Sequence, residues 1–129
     1  MKINISRYLP VVVWMSFMFY LSSRSDLPSG ATLESDFIGK KFAHIFEYFI
    51  LNYLWYRALL YKNPGQAMLF SLIYAFTDEI HQLFIPGRTG KLRDVGIDFI
   101  GISASTLLIL KFSSWKNLLF PTLLKRHKK

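Results

Sequence analysis

His44 and Glu47 stand three residues apart in a stretch that opens Lys40-Lys41-Phe42-Ala43-His44 and continues Glu47-Tyr48. On a helix, residues 40, 44, 47, 48 and 51 fall on one face. A second group, Asp78-Glu79-Ile80-His81-Gln82, puts 78, 81 and 82 on a shared face with 79 flanking it. A third, Arg93-Asp94-Val95-Gly96-Ile97-Asp98, starts a face that runs Asp94, Asp98, Gly101, Ser105. Several kinds of chemistry suit these residue types. His44 with Glu47, completed by Asp78, Glu79, His81 and Asp98, has the donor types for a metal. No H-E-x-x-H or comparable spacing supports that option, so no metal and no cofactor is expected. A carboxylate could serve as general base, with Arg88 or Arg93 facing a developing oxyanion, but no Ser or Cys nucleophile stands in a recognisable motif. Alternatively, Lys41, Arg88 and Arg93 pair with Glu47, Asp78, Glu79, Asp94 and Asp98 and do no more than set the register of a bundle. The preferred reading is a binding site in which guanidinium and ammonium groups contact an anionic or polar headgroup. Its candidate residues are Lys41, His44, Glu47, Asp78, Glu79, Gln82, Arg88, Arg93, Asp94 and Asp98.

The elements that must position these groups are apolar. The 129 residues are 52% hydrophobic and 17% aromatic, with a net charge of +8. Basic residues sit between apolar blocks and in a terminal tail, a pattern suited to an anionic membrane surface and not to nucleic acid. There is no cysteine, hence no disulfide framework or thiolate chemistry. Four apolar blocks stand out: 8–21, 42–61, 66–85 and 95–110. A helix crossing hydrocarbon needs about 20 residues; the second and third blocks meet that length, and the first and fourth need flanking residues to reach it. The first block resembles a signal peptide, but Ser22-Ser23-Arg24-Ser25 is no convincing cleavage site, so it is read as an uncleaved span. Charges interrupt every later block, yet runs such as Val11-Val12-Val13-Trp14-Met15 leave no polar face for water.

Turns at Leu27-Pro28-Ser29-Gly30, Asn63-Pro64-Gly65 and Pro86-Gly87-Arg88-Thr89-Gly90 are short enough to force antiparallel neighbours. The expected fold is therefore all-α: an integral membrane bundle of four transmembrane helices in up-down order. One domain spans 1–129, with a core at 8–110 and a basic interfacial tail at 111–129. Ten of the basic residues fall on the side of the termini and six on the other, which predicts a multi-pass protein of the cell membrane with both termini cytoplasmic. In that threading the start of the second span, the end of the third and the start of the fourth share one depth, on the extracytoplasmic side. Gly101 and Ser105 form a small-xxx-small pair that admits a close neighbour. Tyr8, Trp55, Tyr56, Tyr61 and Trp115 read as interfacial aromatics. The expected partners are the lipid bilayer and a polar ligand; the oligomeric state is open.

Three strings carry a family resemblance. Lys40-Lys41-Phe42-Ala43-His44 with Glu47-Tyr48, the run Tyr74 through Asp78-Glu79-Ile80-His81-Gln82 to Pro86-Gly87-Arg88, and Arg93-Asp94-Val95-Gly96-Ile97-Asp98-Phe99-Ile100-Gly101 resemble the VanZ-like family. The resemblance covers roughly residues 8–110, and Ser22-Ser23 fits it as well. It implies a cell-envelope membrane protein associated with teicoplanin-type antibiotic resistance; the headgroup-binding reading of the polar site would fit a cell-wall lipid, a phospholipid or the glycopeptide itself. It implies no particular reaction.

Overall fold

The computed structural model of the chain describes residues 5–25, 33–88 and 90–119. These form four helices in the order α1 (Ile5–Ser22), α2 (Leu33–Ala58), α3 (Pro64–Gln82) and α4 (Leu92–Leu119), with no strand among the described residues. The α2–α4 interface is the most extensive, α3 packs against both, and α1 leans on α2 and touches α3. At about 1.5 Å per residue, all four helices reach lengths comparable to a membrane's hydrocarbon core. Length and apolarity combine differently from expectation: α1 and the 92–113 stretch of α4 are long and apolar enough to cross a membrane. The second and third helices have the length, but their polar and charged residues leave them less apolar than that class requires. Block boundaries also shift. The α2 helix begins nine residues before Phe42, and α4 continues to Leu119 through part of what reads in sequence as an interfacial tail. The loop around Pro28, and residues 120–129, lie outside the described residues.

The exterior of the bundle is apolar over wide areas, and polar side chains lie inside beside an apolar core that includes Val11, Met18, Leu51 and Ile102. The surface carries Val12, Phe17, Phe42, Phe46, Leu69, Ile73, Phe76, Phe99 and Leu107, all at least 40% exposed, while Asn52, Ser71, Asp98 and Ser105 are at most 1% exposed. Contiguous apolar exteriors of this extent match an apolar surround. Inside, small residues set the spacing. A methyl group on Gly101 would collide with the main-chain carbonyl of Ile45, so α4 lies directly on the backbone of α2. Buried Asn52 secures the register there, donating from Nδ2 to Thr106 Oγ1 (3.0 Å) and Ile102 O (3.4 Å). On α1, Trp14 donates from Nε1 to Glu47 O (3.1 Å), and Tyr74 of α3 donates from its hydroxyl to Met15 O (2.7 Å).

The two ends of the bundle differ. Where α2 ends, Arg7 donates to Ala58 O at 2.8 and 3.2 Å, satisfying a terminal helix carbonyl. Tyr8 and Trp55 meet edge-on beside it, and Tyr56 meets Tyr61 nearby. Asn63 precedes Pro64 at the first turn of α3, where the missing N–H costs nothing. The reversal between these helices holds Leu60 and Tyr61 both at φ 58°, a conformation that disfavours side chains by roughly 1–2 kcal/mol per residue. Leu60 is half-exposed, so it loses little contact on truncation. Leu60→Gly is expected to raise stability by about 0.5–1 kcal/mol, read as a later thermal midpoint of the detergent-solubilised protein.

Candidate functional site

The opposite end, where α1 and α3 finish and α2 and α4 begin, gathers a cluster of lysines and arginines with His44 and the described acids. Helical geometry makes this automatic: antiparallel neighbours joined by short turns bring those termini to one depth. A cavity of about 310 Å³ opens there, lined by Ser25, Phe37, Lys40, Lys41, His44, Gln82, Gly87, Arg88, Lys91, Arg93 and Asp94. Five of these side chains are cationic and one, Asp94, is acidic. Lys41 Nζ is 2.5 Å from Asp94 Oδ1 and 5.3 Å from the Phe37 ring centre. Lys40, Lys91 and Arg93 are exposed, and their side chains form no ion pair among the described residues. The cavity wall itself therefore carries more cations than acids.

Behind the wall lies a buried acidic layer. Asp98, 0% exposed, accepts a hydrogen bond from His44 Nδ1 at 2.9 Å. Asp78 accepts from Gln82 Nε2 at 3.0 Å, and Glu79 accepts from the Lys91 main-chain N–H at 2.7 Å. Glu47 sits within electrostatic range of His44, Asp78, Asp98 and Arg88. Among the described residues, one oxygen of each of Asp78, Glu79 and Asp98 has no hydrogen-bond partner, and neither has the Tyr48 hydroxyl. Of the ten candidate residues, Lys41, His44, Gln82, Arg88, Arg93 and Asp94 are on the cavity wall; Glu47, Asp78, Glu79 and Asp98 are in the layer behind it. Among the described residues no three His, Asp or Glu side chains converge as a metal-ligand group.

Three placements differ from the sequence reading. Glu79 points inward with Asp78 and Gln82, all about 5% exposed. His81 turns instead to α1, stacking on Phe19 with ring centres 4.1 Å apart and placing Nε2 2.9 Å from Ser23 Oγ. The α3 helix touches α1 on that flank, so the 78, 81, 82 face is split between two neighbours. Arg88 makes no ion pair with Asp78 or Glu79 among the described residues. Gly87, at φ 80°, turns the chain back, and the Arg88 guanidinium donates to Leu21 O (3.1 Å) and Arg24 O (2.5 and 3.0 Å). It thus caps the end of α1 while lining the cavity. Sequence reasoning left Lys40, Lys91 and Phe37 out of the candidate set. A signal existed for two of them: 37, 40, 41 and 44 follow the i, i+3, i+4, i+7 stripe of one helix face. Lys91 had none, because it stands in the turn before α4.

A model of the VanZ/LLP1 family matches residues 5–115. The membrane protein YwnJ of Bacillus subtilis (strain 168) is 41% identical over 66 residues, covering 49% of this chain and 43% of that relative. The match thus spans less than half the length of that relative. No solved structure shows a significant match.

Proposed function

Since this chain belongs to the VanZ/LLP1 family, and its relative YwnJ is a membrane protein, we propose that it is a four-span protein of the cell membrane that binds a phosphate-bearing lipid headgroup in the cationic cavity. The observation that carries this reading is the excess of five cations over one carboxylate around a single opening. Three of those cations lack an ion-pair partner among the described residues. Charge-assisted contacts to phosphate are the favourable use of such groups, and the buried His44–Asp98 pair gives the wall a fixed shape. Membrane insertion of α2 and α3 is supported by their outward residues, Phe42, Phe46, Ile73 and Phe76, with the acids turned inward. Size bears on the ligand class as well. Cavities of roughly 300 Å³ lie at the bottom of the range for drug-sized molecules, which suits a headgroup and not a whole glycopeptide. A role in teicoplanin-type resistance would then act through the bound lipid.

Binding is tested with dioctanoyl phosphatidate added to the purified protein in micelles, followed by native mass spectrometry, against dioctanoyl phosphatidylcholine as the zwitterionic control. Exchanging Lys40, Lys91 and Arg93 for Gln together should weaken phosphatidate binding about ten- to hundredfold, at roughly 0.5–1 kcal/mol per partly solvated cation. Equal affinity for the two lipids would reject the anion site.

Orientation follows from the basic-residue asymmetry, which favours cytoplasmic termini and an extracytoplasmic cavity. The absence of cysteine makes single-cysteine labelling free of background. Ser25→Cys should react with a membrane-impermeant maleimide in intact cells and Asn63→Cys should not. The reverse pattern would turn the protein over.

A further inference from the structure

We propose that the cavity also acts on what it holds, with His44 as a nucleophile toward the terminal phosphorus of a lipid diphosphate. This inference rests on the anion-site reading and goes one step beyond it. His44 and Gln82 both line the cavity and bond to the buried acidic layer, and of the two only His44 carries a nucleophilic nitrogen. Its Nδ1 donates to Asp98, a carboxylate with no exposure. In the neutral imidazole, a carboxylate at Nδ1 selects the tautomer with its proton there and leaves the lone pair on Nε2. Nε2 has no hydrogen-bond partner among the described residues and is not shut away from the cavity. An imidazole oriented by a buried carboxylate, with its other nitrogen toward a cavity that cations also line, is an arrangement suited to nucleophilic catalysis at an anionic centre.

The charge of the opening selects the substrate class. Lys41 is matched by Asp94, and Arg88 is committed to the carbonyls of α1. Lys40, Lys91 and Arg93 remain. A phosphomonoester carries about −1.5 to −2 at neutral pH, and a second phosphate adds about one more charge, so three cations with no ion-pair partner among the described residues fit a diphosphate better than a monophosphate. The leaving group then is a phosphate ester that departs as an anion and needs no general acid.

In the first step the Nε2 lone pair bonds to the terminal phosphorus. The bond from that phosphorus to the bridging oxygen breaks, and its electron pair leaves with the lipid monophosphate. Asp98 faces the positive charge that the phosphorylated ring acquires. In the second step water attacks the same phosphorus and the phosphorus–nitrogen bond breaks with its pair returning to Nε2. The products are inorganic phosphate, carrying one proton of the water, and one proton released to solvent. Asp98 is a positioning residue in this scheme, and His44 the catalytic one.

The test uses the full chain in micelles with farnesyl diphosphate labelled on the terminal phosphate; diacylglycerol diphosphate and ATP, as other bearers of the same group, separate lipid from soluble sources. Wild type should release phosphate from a lipid diphosphate and carry an acid-labile, alkali-stable label on the protein. His44→Gln, which keeps a donor for Asp98, should lose both while still binding the probe. Asp98→Asn should lower kcat by about a hundredfold or more with KM nearly unchanged. Probe binding without phosphate release by wild type, or release undiminished in His44→Gln, overturns the catalytic inference and leaves the binding site standing. Failure of wild type to bind any of the three overturns both. Turnover of ATP in preference to the lipids overturns the lipid assignment.

Discussion

Gly101→Leu is expected to uncouple α4 from α2 and to cost about 3 kcal/mol or more, the upper end of the range for overpacking. Most overpacked sites relax by moving the end of a flexible side chain. Here the obstacle is the Ile45 main-chain carbonyl, so one whole helix must shift. The His44–Asp98 and Asn52–Thr106 contacts cross the same interface, and the shift would pull them apart. Gly96→Ala is the control on the same helix: nothing lies within 4 Å of its added carbon, and replacing an exposed helical glycine should stabilise by about 0.5–1 kcal/mol. Thermal unfolding of both variants in detergent, with aggregation followed in parallel, reads the contrast. Opposite signs are the expected result. Similar behaviour of the two would mean that α2 and α4 do not approach as closely as described.

The second large effect concerns the buried pair. His44→Leu should destabilise by about 3–5 kcal/mol, because it leaves Asp98 without its hydrogen-bond donor at a position that water does not reach. Asp98→Leu should cost less, since the His44 side chain is 19% exposed and can be rehydrated from the cavity. The double variant should recover most of the loss, for replacing both members of a buried pair by apolar groups is often near neutral. Chemical denaturation of the four proteins closes the cycle. Additive losses would show that the two side chains are not coupled.

Some of this protein is written directly in its chain. Four helices follow from four apolar blocks separated by Pro and Gly turns, because apolar runs and backbone-breaking residues act locally and need no partner to be read. The alternation of up and down follows from turn length, and it alone brings His44, Asp78, Arg88 and Asp98 to one end. The Asp94, Asp98, Gly101, Ser105 stripe is equally local; its burial matches the helical period, and Gly101 marks the close approach that its size permits.

Other features waited for the tertiary structure. Sequence periodicity places Asp78, His81 and Gln82 on one face, but a face of α3 is shared between α1 and the interior, and which neighbour takes each residue depends on helix rotation. His81 therefore meets Phe19 and Ser23 while Glu79 turns inward. Arg88 could equally have paired with a carboxylate; the left-handed turn at Gly87 aims it at the carbonyls that end α1, a choice set by where another helix stops. Lys91 joined the cavity through a turn that has no period to read. Local spacing determines which residues can share a depth and a face. Only packing decides which of them touch, because contact depends on the rotation and separation of helices that are far apart in the chain.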